Sequence, residues 1–98
     1  MNTLFQNPTV EVVSGFLTWW VNKTPRYVKH DHGLCIVKLD ELLKSSTLSI
    51  TETTSESIHV QWMTNNILEM DLYIMNDSLT IKDYTYIVPP FYECTIKI

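Results

Sequence analysis

The sequence predicts an α+β domain in which a mostly antiparallel sheet of about five to six strands carries an N-terminal helix and one short helix on one face. Two patterns lead to this fold class. Apolar residues recur at helical spacing near the start of the chain, and they alternate with polar residues through most of its second half. With 98 residues, of which 45% are hydrophobic, the chain is long enough to bury one core. We therefore expect residues 1–98 to form a single compact domain.

The first predicted element is a helix from Pro8 to Asn22. Asn7 is a suitable capping residue for it, and proline is favoured at the first helical position. The valines in this stretch leave a short strand from Thr9 to Val13 as the alternative, because β-branched residues favour strands. The apolar face of the helix would contain Val10, Val13, Phe16, Leu17, Trp20 and Val21.

The next predicted element is a strand from Leu34 to Leu39, where apolar residues form a nearly continuous run after a polar connection. Such a run is typical of a strand that is buried on both faces. Asp40 is a suitable cap for a short helix that would extend to Lys44. The sequence therefore predicts a strand followed by a short helix between residues 34 and 44.

Alternating patterns predict the remaining strands, which are separated by polar turns. Pro89 and Pro90 interrupt the pattern, and a last strand would follow them. A strand at this position could form an edge of the sheet, and an exposed edge can pair with another chain, so we expect a homodimer as one assembly. The predicted strands lie at Leu48–Thr51, Ile58–Met63, within a hairpin that extends from Ile67 to Val88, and at Tyr92–Ile98.

The hairpin has a two-residue loop at Asn76 and Asp77, two residue types that tolerate the positive φ angles of a type I′ turn. This loop fixes the register and separates an apolar side from a polar side. The same register places Asp83 on the apolar side opposite Met70, which indicates either a bulge or the end of the core at that point. The apolar pairs are Ile74 with Leu79 and Leu72 with Ile81, and the polar pairs are Tyr73 with Thr80, Asp71 with Lys82 and Glu69 with Tyr84.

Charge and composition exclude several classes of protein. The net charge is −4, with +1 in residues 1–50 (five bases, four acids) and −5 in residues 51–98 (two bases, seven acids), so we expect no nucleic-acid partner. Gly15 and Gly33 are the only glycines and lie too far apart for a phosphate-binding loop. No apolar run approaches the roughly 20 residues that cross a bilayer, and no signal peptide is evident. We expect a cytoplasmic protein without a membrane partner or a cofactor.

The residues with metal-binding or nucleophilic chemistry are few. His30, His32 and Cys35 have the side chains of a zinc site, although the second pair of ligands that such sites use is missing from the pattern. Cys35 and Cys94 both lie in apolar or strand-like stretches, where burial makes a thiol unreactive. We therefore predict that the chain is not an enzyme, with a small metal-binding protein as an alternative.

The polar side of the hairpin is the predicted functional surface, because it combines acidic residues with several tyrosines, a residue type enriched in protein interfaces. The alternative is that tyrosine is present only because it favours strands. In size and composition the chain is similar to small inhibitor, immunity and accessory proteins of phages, viruses and toxin systems. We expect a non-catalytic module that binds a basic protein partner, or else a structural subunit that assembles by its edge strands. The predicted partner-binding residues are Glu69, Asp71, Tyr73, Lys82, Tyr84 and Tyr86, with Trp19 as a further candidate.

Overall fold

A computed structural model describes residues 2–23, 33–84 and 92–98, and in this part of the chain it confirms the α+β prediction. The described residues form three helices and one antiparallel sheet of five strands, in which each strand pairs with the next one along the chain. The helices are α1 (Asn2–Gln6), α2 (Val10–Lys23) and α3 (Gly33–Ser45); the strands are β1 (Ser49–Thr53), β2 (Ser57–Thr64), β3 (Ile67–Met75), β4 (Ser78–Asp83) and β5 (Tyr92–Lys97).

Helix α2 confirms the helical interpretation of its segment, but its cap differs from the predicted one. The backbone N–H of Val12 donates to Thr9 Oγ1 at 3.2 Å, and the helix begins at Val10. Thr9 therefore caps the helix instead of Asn7, because Pro8 lies one residue before the cap and outside the first turn. The buried side chains are Val13, Leu17, Trp20 and Val21, four of the six that the pattern placed on the apolar face.

The predicted strand from Leu34 to Leu39 is wrong, because a single helix, α3, covers the whole of residues 33–45. Its buried residues recur at helical spacing, whereas Val37 in the middle of the run is 56% exposed. Asp40 lies within the helix and not at its start, and its Oδ2 is 3.1 Å from Lys44 Nζ, one helical turn later. The buried side chains of the helix are Cys35, Ile36, Leu39 and Leu42.

The predicted register of the β3–β4 hairpin is confirmed, including the pairs Leu72–Ile81 and Asp71–Lys82. The register continues without a shift to Met70 and Asp83, so the bulge considered at this point is absent and the Asp83 side chain is buried, with 1% exposure. Register shifts occur elsewhere in the sheet: one lies between Ile50 and Glu52 in β1 and one between Trp62 and Met63 in β2.

The positive φ angles predicted for the β3–β4 turn occur instead in the β2–β3 turn. The loop at Asn76 and Asp77 does connect β3 to β4, but neither residue has a positive φ. Among the described residues that are not glycine, positive φ angles occur at Asn65 and Asn66, with values of 52° and 65°. Two successive positive φ angles are typical of a type I′ turn. The β2–β3 connection is therefore the one in which asparagine adopts the left-handed backbone conformation.

The core lies between the three helices and one face of the sheet, which we call the inner face. Alternate residues of the strands point into it, as the period-two pattern requires. None of the described helices is long and apolar enough to cross a membrane. The buried apolar side chains that the sheet contributes to the inner face are Ile58, Val60, Trp62, Met70, Leu72, Ile74, Leu79, Ile81, Cys94 and Ile96.

Candidate protein-interaction face

The opposite side of the sheet, which we call the outer face, presents the polar side chains of the strands. Two rows of directly paired residues cross it, and both pass through predicted partner-binding residues. The structure thus brings Asp71, Tyr73 and Lys82 onto one surface, as the hairpin register predicted. The first row contains His59, Tyr73, Thr80 and Thr95, and the second contains Gln61, Asp71, Lys82 and Glu93.

Asp71 is the centre of a hydrogen-bond network on the outer face. Its Oδ1 lies 2.6 Å from His59 Nε2 and accepts a hydrogen bond from Gln61 Nε2 at 2.9 Å. Its Oδ2 accepts a hydrogen bond from the Tyr84 hydroxyl at 2.6 Å. The residue is only 6% exposed, because the side chains around it cover the carboxylate. Strands β2 and β3 and the residue after β4 are therefore held together by one buried carboxylate.

The network continues from Asp71 through His59 to β1. An ionised Asp71 can only accept hydrogen bonds, so the proton on the His59 ring must be at Nε2 when the ring is neutral. The Nδ1 atom is then an acceptor, and Thr51 Oγ1, which lies 2.6 Å away, donates to it. This order of hydroxyl, imidazole and carboxylate resembles the one that activates nucleophiles in enzymes, and here it lies along the surface of the sheet. Its visible effect is to fix the ring of His59.

Tyr73 is stacked on His59, with ring centroids 4.3 Å apart and an angle of 3° between the ring planes. Lys82 Nζ lies 5.5 Å from the centre of the Tyr73 ring, at a distance that allows a cation–π interaction. Both rings remain partly exposed. Because Asp71 and Thr51 hold both nitrogens of His59, the stack presents the Tyr73 ring in one orientation.

Burial and hydrogen bonds shift the pKa values of Asp71 and Tyr84. Burial alone raises the pKa of Asp71, but the hydrogen bonds from Tyr84, Gln61 and His59 together outweigh it and hold the pKa below its ordinary value. Burial, together with the hydrogen bond to Asp71, raises the pKa of Tyr84 well above its ordinary value. Asp71 is therefore ionised and Tyr84 is a neutral donor at neutral pH.

Glu69 does not contribute to the central part of this surface. Its Oε1 accepts a hydrogen bond from Thr64 Oγ1 at 2.7 Å, and its Oε2 lies 3.5 Å from Lys38 Nζ of helix α3. The carboxylate is thus neutralised within the molecule. Since Asp71 is also buried, the two acidic residues that were expected to attract a basic partner are both used internally.

The remaining predicted residues lie apart from the network. Trp19 is 53% exposed on helix α2, where its ring contacts Phe16 at 5.9 Å between centroids and Lys23 Nζ at 4.9 Å. These contacts are within one helix, in the layer on the other side of the sheet. Tyr86 lies outside the described residues.

The metal-binding hypothesis concerned His30, His32 and Cys35. Both histidines lie outside the described residues, and Cys35 is fully buried in helix α3. The hydrogen bond with the thiol of Cys94 in β5 is the main reason that the pKa of Cys35 is raised, and burial raises it further. Within the described part of the chain, no cluster of three His, Cys, Asp or Glu side chains could hold a metal ion.

Three members of the network, Thr51, His59 and Gln61, were not predicted from the sequence. The signal that indicates two of them is the alternation in β2, where Ile58, Val60 and Trp62 point inward and therefore turn His59 and Gln61 outward.

Comparison of the chain with protein-family models, with curated proteins and with solved structures gives no match.

Proposed function

We propose that the protein is a small non-catalytic module that binds a basic protein partner on the outer face of its sheet. The observation that carries this proposal is the network around Asp71, which fixes side chains from β1, β2 and β3 in one arrangement. A surface whose contact groups are already ordered loses less conformational entropy when a partner binds. Such order on a solvated sheet face is more than stability of the fold requires, since the core lies on the inner face.

The stack of Tyr73 on His59 would be the central contact. A tyrosine ring offers a large contact area and a hydroxyl group with few rotatable bonds, which is why tyrosine is common in binding surfaces. The hydroxyls of Thr80 and Thr95, 3.0 Å apart in the same row, extend the surface with groups that donate and accept hydrogen bonds. The exposed centre of the face is thus aromatic, the ionised Asp71 is covered by its neighbours, and Lys82 lies beside the Tyr73 ring.

The charges at the border of the outer face support a basic partner. Of the seven acidic residues in residues 51–98, Glu69 is ion-paired and Asp71 and Asp83 are buried, which leaves four that are exposed. Two lysines in the same half of the chain reduce the excess to two negative charges. Charges at the border of an interface mainly affect the rate of association and its salt dependence. The four exposed acidic residues are Glu52, Glu56, Asp77 and Glu93, and the two lysines are Lys82 and Lys97.

A comparison of two aromatic truncations tests this proposal. Immobilised wild-type protein, Tyr73→Ala and Trp19→Ala are used to capture proteins from a lysate of the source organism, with the captured proteins measured by quantitative mass spectrometry. We expect a basic protein that Tyr73→Ala loses by at least about tenfold, as truncation of a central aromatic contact commonly does. Trp19→Ala should retain it, because that side chain lies in the helical layer.

Two checks accompany this experiment. The circular dichroism spectra of both variants should match the wild type, which separates lost binding from lost folding. Capture should also decrease when the ionic strength is raised, because the border charges are screened. If the same proteins remain on Tyr73→Ala, or if only Trp19→Ala loses them, the outer face is not the binding surface.

A further inference from the structure

The two edges of the sheet differ in regularity. Strand β1 pairs with β2 through an interrupted register, because the pairing shifts between Ile50 and Glu52. Strand β5 pairs with β4 through six consecutive residues, from Tyr92 to Lys97, without a shift. A bulge in an edge strand disfavours the addition of another strand, whereas a regular edge favours it. Strand β5 is therefore the edge whose geometry suits an added strand.

The direction of the backbone groups in β5 follows from one hydrogen bond. The N–H of Ile98 donates to the carbonyl of Asp77 at 2.9 Å, in line with the β4–β5 register. In an antiparallel pair, hydrogen-bonded residues alternate with residues whose backbone groups point away from the partner strand. Cys94 and Ile96 consequently bond to β4. Glu93, Thr95 and Lys97 direct their N–H and C=O groups toward the side of β5 on which no described strand lies.

We propose that a second copy of the chain adds to this edge, with its β5 antiparallel to the first and a two-fold axis at Thr95. In this register Thr95 lies opposite its own copy, and Glu93 lies opposite Lys97 of the other copy in both halves of the interface. All three residues are those whose backbone groups face the edge, so three pairs each exchange two hydrogen bonds. The result is a continuous ten-stranded sheet made of two five-stranded halves.

Charge complementarity selects this register among the symmetric ones. A two-fold axis at Glu93 or at Lys97 would place two like charges directly opposite each other, which is destabilising. An axis at Cys94 or Ile96 would place one of the charges opposite Thr95 and would give no opposite-charge pair across the junction. Glu93 and Lys97 are both exposed, and neither forms an ion pair with another residue in the described ranges. Only the axis at Thr95 gives two opposite-charge pairs.

The side chains on the inner face are compatible with the same arrangement. Cys94 and Ile96 point toward the core and are 7% and 6% exposed. In the dimer, Cys94 of each copy would lie opposite Ile96 of the other, so apolar side chains would meet at the junction. Helix α3, which packs on β4 and β5, would lie on the same side of the joined sheet in both copies. The two-fold symmetry makes this a closed dimer without a further open β5 edge.

Charge reversal tests the proposal, because the two halves of each pair come from different copies. Sedimentation velocity across a wide concentration range should show a reversible dimer for the wild type. Glu93→Lys places lysine opposite lysine and Lys97→Glu places glutamate opposite glutamate, so each variant alone should dimerise at least about tenfold more weakly. An equimolar mixture of the two variants restores opposite charges in both pairs and should dimerise at least as well as the wild type.

The mixture also shows that both variants are folded, since only folded edges can recover the dimer. Glu52→Lys, on the bulged edge, makes the same charge change as Glu93→Lys and should leave the dimer unchanged. In the wild-type dimer, the amide protons of Glu93, Thr95 and Lys97 should become protected from exchange as the concentration rises. A monomer at all concentrations overturns the proposal, and so does a wild-type dimer for which the mixture shows no recovery.

Discussion

The two faces of the sheet are built from the same strands but are held together by different interactions. Leu72 and Tyr73 are neighbours in β3, yet Leu72 is fully buried among apolar residues and Tyr73 lies partly exposed on the network. The inner face derives its stability from buried apolar area, whereas the outer face is organised by hydrogen bonds to the carboxylate of Asp71. Because of this difference, the exposed residues of the outer face can change without removing the core.

The largest expected effect comes from truncating these two neighbours. Leu72→Ala should decrease the free energy of unfolding by about 2–5 kcal/mol, because it leaves a cavity in a fully buried site. Tyr73→Ala should cost less, about 1 kcal/mol, since it removes only the contacts of a partly exposed ring with His59 and Lys82 and leaves the Asp71 hydrogen bonds in place. Urea unfolding at pH 7 measures both. Equal losses would mean that the outer face contributes to stability as much as the core does.

The sequence correctly predicts the register of the β3–β4 hairpin, and with it which residues of these two strands lie on each face. The two-residue loop at Asn76 and Asp77 and the alternation on both sides of it lead to the same register, so two independent signals agree. The same register also placed Asp83 on the inner face, where an acidic residue is unexpected, and it is indeed buried there. Local pattern was a better guide at this position than the expectation that charges avoid the core.

The segment of helix α3 shows where an apolar pattern is ambiguous. A run of six residues that contains five apolar ones fits a buried strand as well as a helix, because periodicity cannot be measured over so short a stretch. The deciding signal lies outside the run, in the spacing of Asp40 and Lys44 and in Leu42, which extend the helical pattern by more than one turn. Because the prediction ended the strand at Leu39 and began a new helix at Asp40, it assigned one continuous helix to two elements.

The network on the outer face could not be assembled from the sequence because of a bulge. A two-residue turn at Asn65 and Asn66 pairs Thr64 with Ile67, and a continuous register from there would place His59 opposite Leu72. The shift between Trp62 and Met63 moves the pairing by one residue and brings His59 opposite Tyr73. Only the conflict between the turn and the alternation in β2 indicates this shift.

The second prediction concerns Asp71, whose effect should depend on pH. Asp71→Ala should cost about 1–3 kcal/mol at pH 7, because three donors lose their acceptor and all of them are partly buried. The pKa of Asp71 is lower in the folded protein than its ordinary value of 3.8, so its stabilising contribution is present above that value. The contribution is lost as the pH falls through the folded pKa.

The difference in free energy of unfolding between wild type and Asp71→Ala should therefore shrink between pH 5 and the lowest pH at which both proteins fold. Chemical unfolding across this range provides the measurement, and Leu72→Ala is the control, because its cost does not involve a titrating group. A difference that stays constant with pH would show that the charge of Asp71 does not stabilise the outer face.

The smallest expected effect is that of Trp62→Phe on the inner face. The Trp62 side chain is fully buried, and its Nε1–H has no acceptor among the described residues, in contrast to the three satisfied donors around Asp71. Phenylalanine removes this unsatisfied donor, which costs about 1–3 kcal/mol when buried, but it also leaves a small cavity of comparable cost. The two effects oppose each other, so the free energy of unfolding should change by less than about 1 kcal/mol. A loss above about 2 kcal/mol in urea unfolding would mean that the indole N–H is hydrogen-bonded in solution and that polar contacts stabilise both faces.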